Sequence, residues 1–119
     1  MHLAAAIAVG AVALAHIYFL ILEMFLWDKP KGLATFGLTQ AFATASKSLA
    51  MNQGLYNGFL AAGLVWGISL GSAGKSVEIF FLSCVIVAGV FGGFTASRKI
   101  LAVQALLGAI ALILVWLAP

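Results

Sequence analysis

Charged residues are scarce in this sequence, at 8% of 119 residues, whereas they make up about a quarter of an average soluble domain. Hydrophobic residues reach 65%, and the mean hydropathy is +1.20. A water-soluble fold of this length could not bury so much apolar surface, because small domains leave a large share of their area exposed. The composition excludes such a fold and predicts a protein that lies in lipid.

Cysteine and early basic residues are nearly missing as well. The single cysteine, Cys84, excludes a disulfide within the chain, and its apolar neighbours favour an inert buried thiol. No Lys or Arg precedes Lys29, and the first apolar run is about 25 residues, which is unlike a cleavable signal peptide. We expect this segment to stay in the membrane. The net charge of +3 comes from residues placed as membrane-orientation signals, so no nucleic-acid partner is predicted.

Long apolar runs are what the sequence has instead. About 20 apolar residues of helix cross a hydrocarbon core about 30 Å thick. Four segments meet that requirement, and none alternates like a strand of a membrane barrel: about 3–27, 48–70, 77–97 and 100–118. Because the turns at 71–76 and 98–99 are short, neighbouring helices should be antiparallel. The sequence therefore predicts an all-α fold, a single domain over 1–119 that forms an up-down bundle of four transmembrane helices.

The connection 28–47 is the one longer link between predicted spans. Pro30 and Gly32 end the first span, and the mixed apolar and polar residues at about 33–46 predict a short amphipathic segment at the interface. Before the third span, Ser76 is a candidate N-cap, and Glu78 lies in the first turn, where the helix dipole favours an anion.

Lys and Arg are concentrated on one side of this bundle. The connections 28–47 and 98–99 hold five of them, and the opposite side holds only Lys75. The excess of basic residues on cytoplasmic loops predicts that both connections are cytoplasmic and both chain ends outside.

Polar side chains and glycines divide the second span into faces. Gly63 and Gly67 lie on a face suited to close helix packing, while Phe59 and Trp66 lie on a face suited to lipid.

Most polar groups in the spans fall in the predicted cytoplasmic half, where they are candidates for ligand binding or proton exchange: His16, Glu23, Asn52, Gln53, Tyr56, Asn57, Thr95, Arg98 and Gln104. Ionisable groups in a span usually face the bundle interior, and His16 and Glu23 share a helix face. This asymmetry predicts a polar cavity open to the cytosol. The alternative is structural, since amides in membranes also bridge helices without binding anything.

Motifs for several chemistries are missing from the sequence. It has no His, Cys or Glu cluster with metal-ligand spacing, no phosphate-binding glycine loop and no nucleophile elbow. We therefore predict no metal and no cofactor, and the catalytic residues of any enzyme stay unknown.

Short stretches of the sequence carry a family resemblance. They are Glu23–Trp27, Phe36–Leu38, Asn52–Leu64, Thr95–Lys99 and Gln104. Together they resemble the bacterial membrane family known as domain of unknown function 1304. One departure is visible, because that family often has a proline shortly after the glutamine, where Leu106 and Leu107 stand here. The resemblance implies a four-span inner-membrane protein, singles out the same polar residues and implies no activity.

Three functions remain open at this point. Binding or transport of a small solute through the polar cavity ranks first. The alternatives are a membrane-embedded enzyme with a cytosol-facing site and an accessory subunit with structural polar contacts only. Four short helices enclose little volume, so we also expect a homo-oligomer in the lipid bilayer.

Overall fold

The computed structural model describes residues 2–95 and 98–119, and all the regular structure in those ranges is helical. Within these ranges, five α-helices and one 3₁₀ turn follow each other: α1 (Leu3–Met24), α2 (Pro30–Phe36), α3 (Gln40–Ser69), the 3₁₀ turn (Gly71–Gly74), α4 (Lys75–Thr95) and α5 (Arg98–Leu117). The prediction of an all-α fold is confirmed.

The segment predicted to be one amphipathic stretch is divided by Gly37. Helix α2 begins with Pro30, whose fixed φ suits the first helical position. It ends at Gly37, which adopts a left-handed φ of 65° that a side chain would strain. The N–H of Leu38 then donates to the carbonyl of Leu33 at 2.9 Å, which closes the helix end. The predicted amphipathic stretch therefore contains helix α2 and the start of a second helix, α3.

Helix α3 begins at Gln40, eight residues before the predicted span. Thr39 caps it, since its Oγ1 accepts the N–H of Phe42 at 3.1 Å. At 1.5 Å per residue its 30 residues extend about 45 Å, which exceeds the thickness of a hydrocarbon core. Hydropathy marks where lipid would begin, whereas the cap marks where the helix begins, and the two positions differ here.

Several side-chain contacts hold the connection between α1 and α3. The indole Nε1–H of Trp27 donates to Ser46 Oγ at 3.0 Å. The Lys47 ammonium lies 3.1 Å from a carboxylate oxygen of Asp28 and holds the pKa of that carboxyl below its ordinary value. Polar and aromatic residues of the 28–47 connection thus order it.

The turn before α4 differs from the predicted one in a single respect. The helix starts at Lys75, so Ser76 lies within its first turn and the prediction that Ser76 is the N-cap is wrong. The reason is that the 3₁₀ turn leads directly into α4 without an extended cap residue. Glu78 does lie in the first turn, as the sequence predicts.

The chain forms two compact units, which we describe separately. One consists of Met1–Leu14 with Leu60–Pro119, and the other of Ala15–Phe59. The first unit has an apolar core in which α4 and α5 run antiparallel along each other: Ala5, Val9, Val12, Ala13, Leu64, Leu82, Val85, Ala111, Val115 and Ala118. Core residues recur at three- and four-residue intervals, as one buried helix face requires.

Glycines bring α3 and α4 close together in that unit. A Cβ placed on Gly63 would overlap the ring of Phe81, and one on Gly67 would lie 2.6 Å from Glu78 Cγ. Both glycines are buried, so the predicted packing face of α3 does contact another helix. Phe59 and Trp66 are 54% and 55% exposed on the other face, as predicted.

Large apolar side chains cover much of the outer surface. Leu49, Phe94 and Leu117 are 75%, 84% and 73% exposed, whereas the carboxylate-bearing Glu78 is 0% exposed. Soluble monomers rarely expose extended apolar patches. Among the described residues, two segments are long and apolar enough to cross a membrane, Leu3–Met24 and Gly71–Thr95, while Ala102–Leu117 is apolar but shorter.

Candidate functional site

Glu23 and Asn57 form the central contact of the second unit. Glu23 lies in the last turn of α1 and is half-buried, and Asn57 lies midway along α3 and is 8% exposed. The amide Nδ2 of Asn57 donates a hydrogen bond to Glu23 Oε1. A hydrogen bond to a charged group in a poorly hydrated site contributes about 1.5–3 kcal/mol, so this pair fixes both side chains.

Two glycines allow α3 to approach α1 at this point. A Cβ on Gly54 would lie 2.6 Å from Met24 Cγ and 3.1 Å from Glu23 Cβ. A Cβ on Gly58 would lie 2.8 Å from Leu20 Cδ1. The two glycines therefore allow the Asn57 amide to reach the Glu23 carboxylate. A larger residue at either position would keep the two helices apart.

The carboxylate keeps capacity for a further donor. Glu23 Oε1 accepts from Asn57, and among the described residues no donor reaches Oε2. A carboxylate accepts hydrogen bonds at both oxygens. Because Glu23 is only half-buried, a small molecule with an N–H or O–H group can approach the free oxygen.

His16 lies two turns before Glu23 on α1 and is 1% exposed. Its imidazole meets the ring of Phe19 edge-on, with centroids 5.6 Å apart and planes at 80°. Such edge-on aromatic contacts add packing energy beyond area burial. His16 therefore lies on the buried face of α1, as the sequence predicts.

The other predicted residues of α3 lie beside the contact with Glu23. Asn52, Gln53 and Tyr56 are exposed, and the ring of Tyr56 packs against Phe59 at 5.8 Å between centroids. The buried stripe of α3 runs through Ala50, Gly54, Asn57, Ala61 and Leu64. Of the four candidate residues predicted on α3, Asn57 is therefore the one that lies on the buried face.

The three predicted residues that remain are Thr95, Arg98 and Gln104. Thr95 is exposed, and its Oγ1 donates to the Phe91 carbonyl of its own helix at 2.9 Å. Gln104 belongs to the first unit, is 7% exposed, and donates from Nε2 to the Val85 carbonyl at 3.4 Å. The side chain of Arg98 and the residue Ser97 lie outside the described part of the chain.

Glu78 is a buried polar residue that was not among the site residues predicted from the sequence. It is 0% exposed, and among the described residues no donor reaches either carboxylate oxygen. An exposed helix N-terminus stabilises an anion by about 0.3–1 kcal/mol, whereas removing an ion from water costs several kcal/mol. The dipole that the sequence suggested for Glu78 is therefore too weak to keep a bare carboxylate buried. The signal in the sequence is Gly67, the small residue against which Glu78 packs.

A cleft in the first unit leads to Glu78. It encloses about 220 Å³, including the part open to solvent, and its interior has room for roughly one water molecule. Its lining residues come from the 3₁₀ turn and the ends of α4 and α5: Gly71, Ser72, Lys75, Glu78, Val115, Ala118 and Pro119. Across residues 2–95 and 98–119, no three His, Cys, Asp or Glu side chains are grouped to hold a metal ion.

Comparison with known proteins identifies the family. A family profile described as "Protein of unknown function (DUF1304)" matches residues 10–116. A relative named "Uncharacterized protein YpaA", from Lactococcus lactis subsp. lactis (strain IL1403), is 31% identical over 104 residues, which cover 86% of this chain and 87% of that protein. No solved structure matches the chain significantly. The match extends over most of both sequences and over both compact units, so this chain belongs to the DUF1304 family.

Proposed function

We propose that this protein is a four-span inner-membrane protein that binds or transports a small polar solute at Glu23 and Asn57. The spans are α1, α3, α4 and α5. The hydropathy of Leu3–Met24 and Gly71–Thr95 supports the membrane location, and so do the exposed apolar side chains. The hydropathy of α3 is lowered by its polar residues between Gln40 and Asn57, and Asn57 is one of the two residues proposed to bind the solute.

One observation carries the binding proposal: a carboxylate at the end of an apolar helix is fixed by Asn57 and retains an unused oxygen. Ionisable groups within membrane spans are costly and are usually functional. A solute with an ammonium, amide or hydroxyl donor would complete the coordination of Glu23. A structural role alone would be fulfilled by two neutral amides, which form the same kind of bond without a buried charge.

The orientation and assembly are part of the same proposal. The five basic residues in 28–47 and 98–99 support a cytoplasmic location for these connections, which would expose Glu23 to the cytosol. The exposed amides Asn52 and Gln53 support self-association, because an amide both donates and accepts and can pair with its own copy.

The proposal is tested by thermal unfolding of the purified protein in detergent with a panel of amino acids, amines, sugars and nucleobases. At 100 times its Kd, a bound solute adds about 2.7 kcal/mol to the free energy of unfolding. We expect at least one class to raise the melting temperature of the wild type. Glu23→Gln should abolish that shift while keeping the fold, because glutamine preserves shape and hydrogen bonding but not charge.

Asp28→Asn is the matched control, because it removes a carboxylate outside the proposed site. The binding proposal fails if no solute stabilises the wild type, or if Glu23→Gln responds like Asp28→Asn. Uptake of the same solute into proteoliposomes then separates transport from binding alone.

A further inference from the structure

The connection 28–47 carries more positive charge than its own carboxylate neutralises. It holds three exposed lysines, Lys29, Lys31 and Lys47, and one carboxylate, Asp28. Lys47 forms the ion pair with Asp28 at 3.1 Å, and Lys29 adds a weaker attraction to the same carboxylate. Among the described residues, no carboxylate oxygen lies within ion-pair distance of the ammonium groups of Lys29 and Lys31. Three lysines and one carboxylate leave the connection with a surplus of two positive charges.

The two lysines without an ion pair lie in a segment that is held against the residues following α1. A Cβ on Gly32 would overlap the carbonyl oxygen of Leu26, so the start of α2 contacts that backbone directly. The N–H of Lys29 donates to the Leu26 carbonyl at 3.1 Å, and the N–H of Leu33 donates to the Lys29 carbonyl at 2.9 Å. Because this backbone is already ordered, only the side chains of Lys29 and Lys31 lose freedom when they bind a ligand.

An exposed aromatic side chain precedes these charges in the chain. Phe25 follows the last residue of α1, comes four positions before Lys29 and is 64% exposed. In the proposed membrane orientation, α1 leaves the hydrocarbon at this point, which puts the lysines that follow at the depth of the lipid headgroups. A phospholipid supplies acyl chains for the ring and a phosphate for the ammonium groups, whereas a soluble anion supplies charge alone. Apolar surface beside surplus positive charge therefore favours a lipid.

We propose that Lys29 and Lys31 bind the headgroup phosphate of an anionic phospholipid of the phosphatidylglycerol class in the cytoplasmic leaflet. The phosphodiester of this class carries one negative charge, and its headgroup has no ammonium of its own. Phosphatidylcholine carries the same phosphodiester, but its quaternary ammonium cancels that charge, so the lysines discriminate between the two lipids. The proposed lipid site rests on the proposed membrane location and is independent of the solute site at Glu23.

The experiment measures the binding of phosphatidylglycerol and phosphatidylcholine with identical acyl chains to the purified protein in detergent, by native mass spectrometry. We expect the wild type to bind phosphatidylglycerol roughly 25-fold more tightly, because each lysine strengthens the attraction to an anionic lipid roughly fivefold. The double variant Lys29→Gln/Lys31→Gln should bind the two lipids about equally. Lys29→Arg/Lys31→Arg should keep the preference, because arginine retains the charge. Inorganic phosphate should not displace phosphatidylglycerol, since it has no acyl chains.

Lys99→Gln is the matched control, because it removes an exposed lysine outside the connection 28–47. It should keep the full preference for phosphatidylglycerol. The proposal is overturned if the wild type binds both lipids equally, or if Lys99→Gln loses as much preference as Lys31→Gln. It is also overturned if inorganic phosphate displaces phosphatidylglycerol while sodium chloride of equal ionic strength does not. A wild type that stays soluble without detergent would overturn the membrane location, and the lipid site with it.

Discussion

Glu23 and Asn57 are 34 residues apart in the sequence and share one hydrogen bond. Asn52 and Gln53 carry the same amide chemistry on the same helix but stay exposed. Because a helix turns by about 100° per residue, Asn52 lies about 140° around the helix from Asn57. Gln53 lies about 40° from Asn57, on the side away from the buried Gly54 and Ala61. At the scale of single residues, position on the helix face decides which amide meets the carboxylate.

This difference predicts that two matched substitutions destabilise the protein to different extents. Asn57→Leu leaves the Glu23 carboxylate without its donor and should lower the free energy of unfolding by about 1.5–3 kcal/mol. Asn52→Leu changes an exposed amide and should cost less than about 0.5 kcal/mol. Thermal or denaturant unfolding in one detergent measures both. Equal losses for the two variants would show that the contact with Glu23 has no special energetic weight.

Helices α3 and α4 approach each other through Gly67, where the backbone of α3 meets the first turn of α4. A Cβ there would lie 2.6 Å from Glu78 Cγ and 3.3 Å from Glu78 N, closer than side chains normally pack. The backbone nitrogen cannot rotate away as a side-chain end can. At the scale of helices, Gly67 therefore allows the close approach of two elements and the burial of a carboxylate.

Gly67→Ala should accordingly destabilise the first unit by about 1–3 kcal/mol, the typical cost of overpacking. Gly10→Ala is the control, because a Cβ at Gly10 meets nothing within 4 Å. Replacing a helical glycine by alanine stabilises by up to about 1 kcal/mol when space is free, so the control should be neutral or slightly stabilising. Similar unfolding curves for the two variants would contradict the close packing of α3 on α4.

The whole chain distributes its charges unevenly about the apolar helices, with five of six basic residues in two connections. Single cysteines at Ala45 and Ala73, both exposed, lie on the sides that this distribution assigns to cytoplasm and exterior. In a Cys84→Ala background, an impermeant thiol reagent added to intact cells should label Ala73→Cys. Ala45→Cys should react only after the cells are opened. Labelling of both positions in intact cells would contradict a single orientation.

The sequence by itself determined the helical class, from its long apolar runs, and the family, from short motifs such as Asn52–Leu64. These properties depend on residue content and local runs, which a linear reading captures. The helix boundaries near Thr39 and Lys75 were less predictable, because caps and turns follow local hydrogen bonds that hydropathy does not report. Glu23 and Asn57 were both candidates from their types and depth, although the sequence could not pair them.

Tertiary structure alone decided which polar groups are buried and what they contact. The approach of α3 to α1 at Gly54 brings Asn57 to Glu23, and its approach to α4 at Gly67 covers Glu78. Both depend on the angle at which helices meet, and that angle arises from packing between residues distant in the chain. Glu78, which the sequence predicts as an anion in the first turn of a helix, is thereby fully buried.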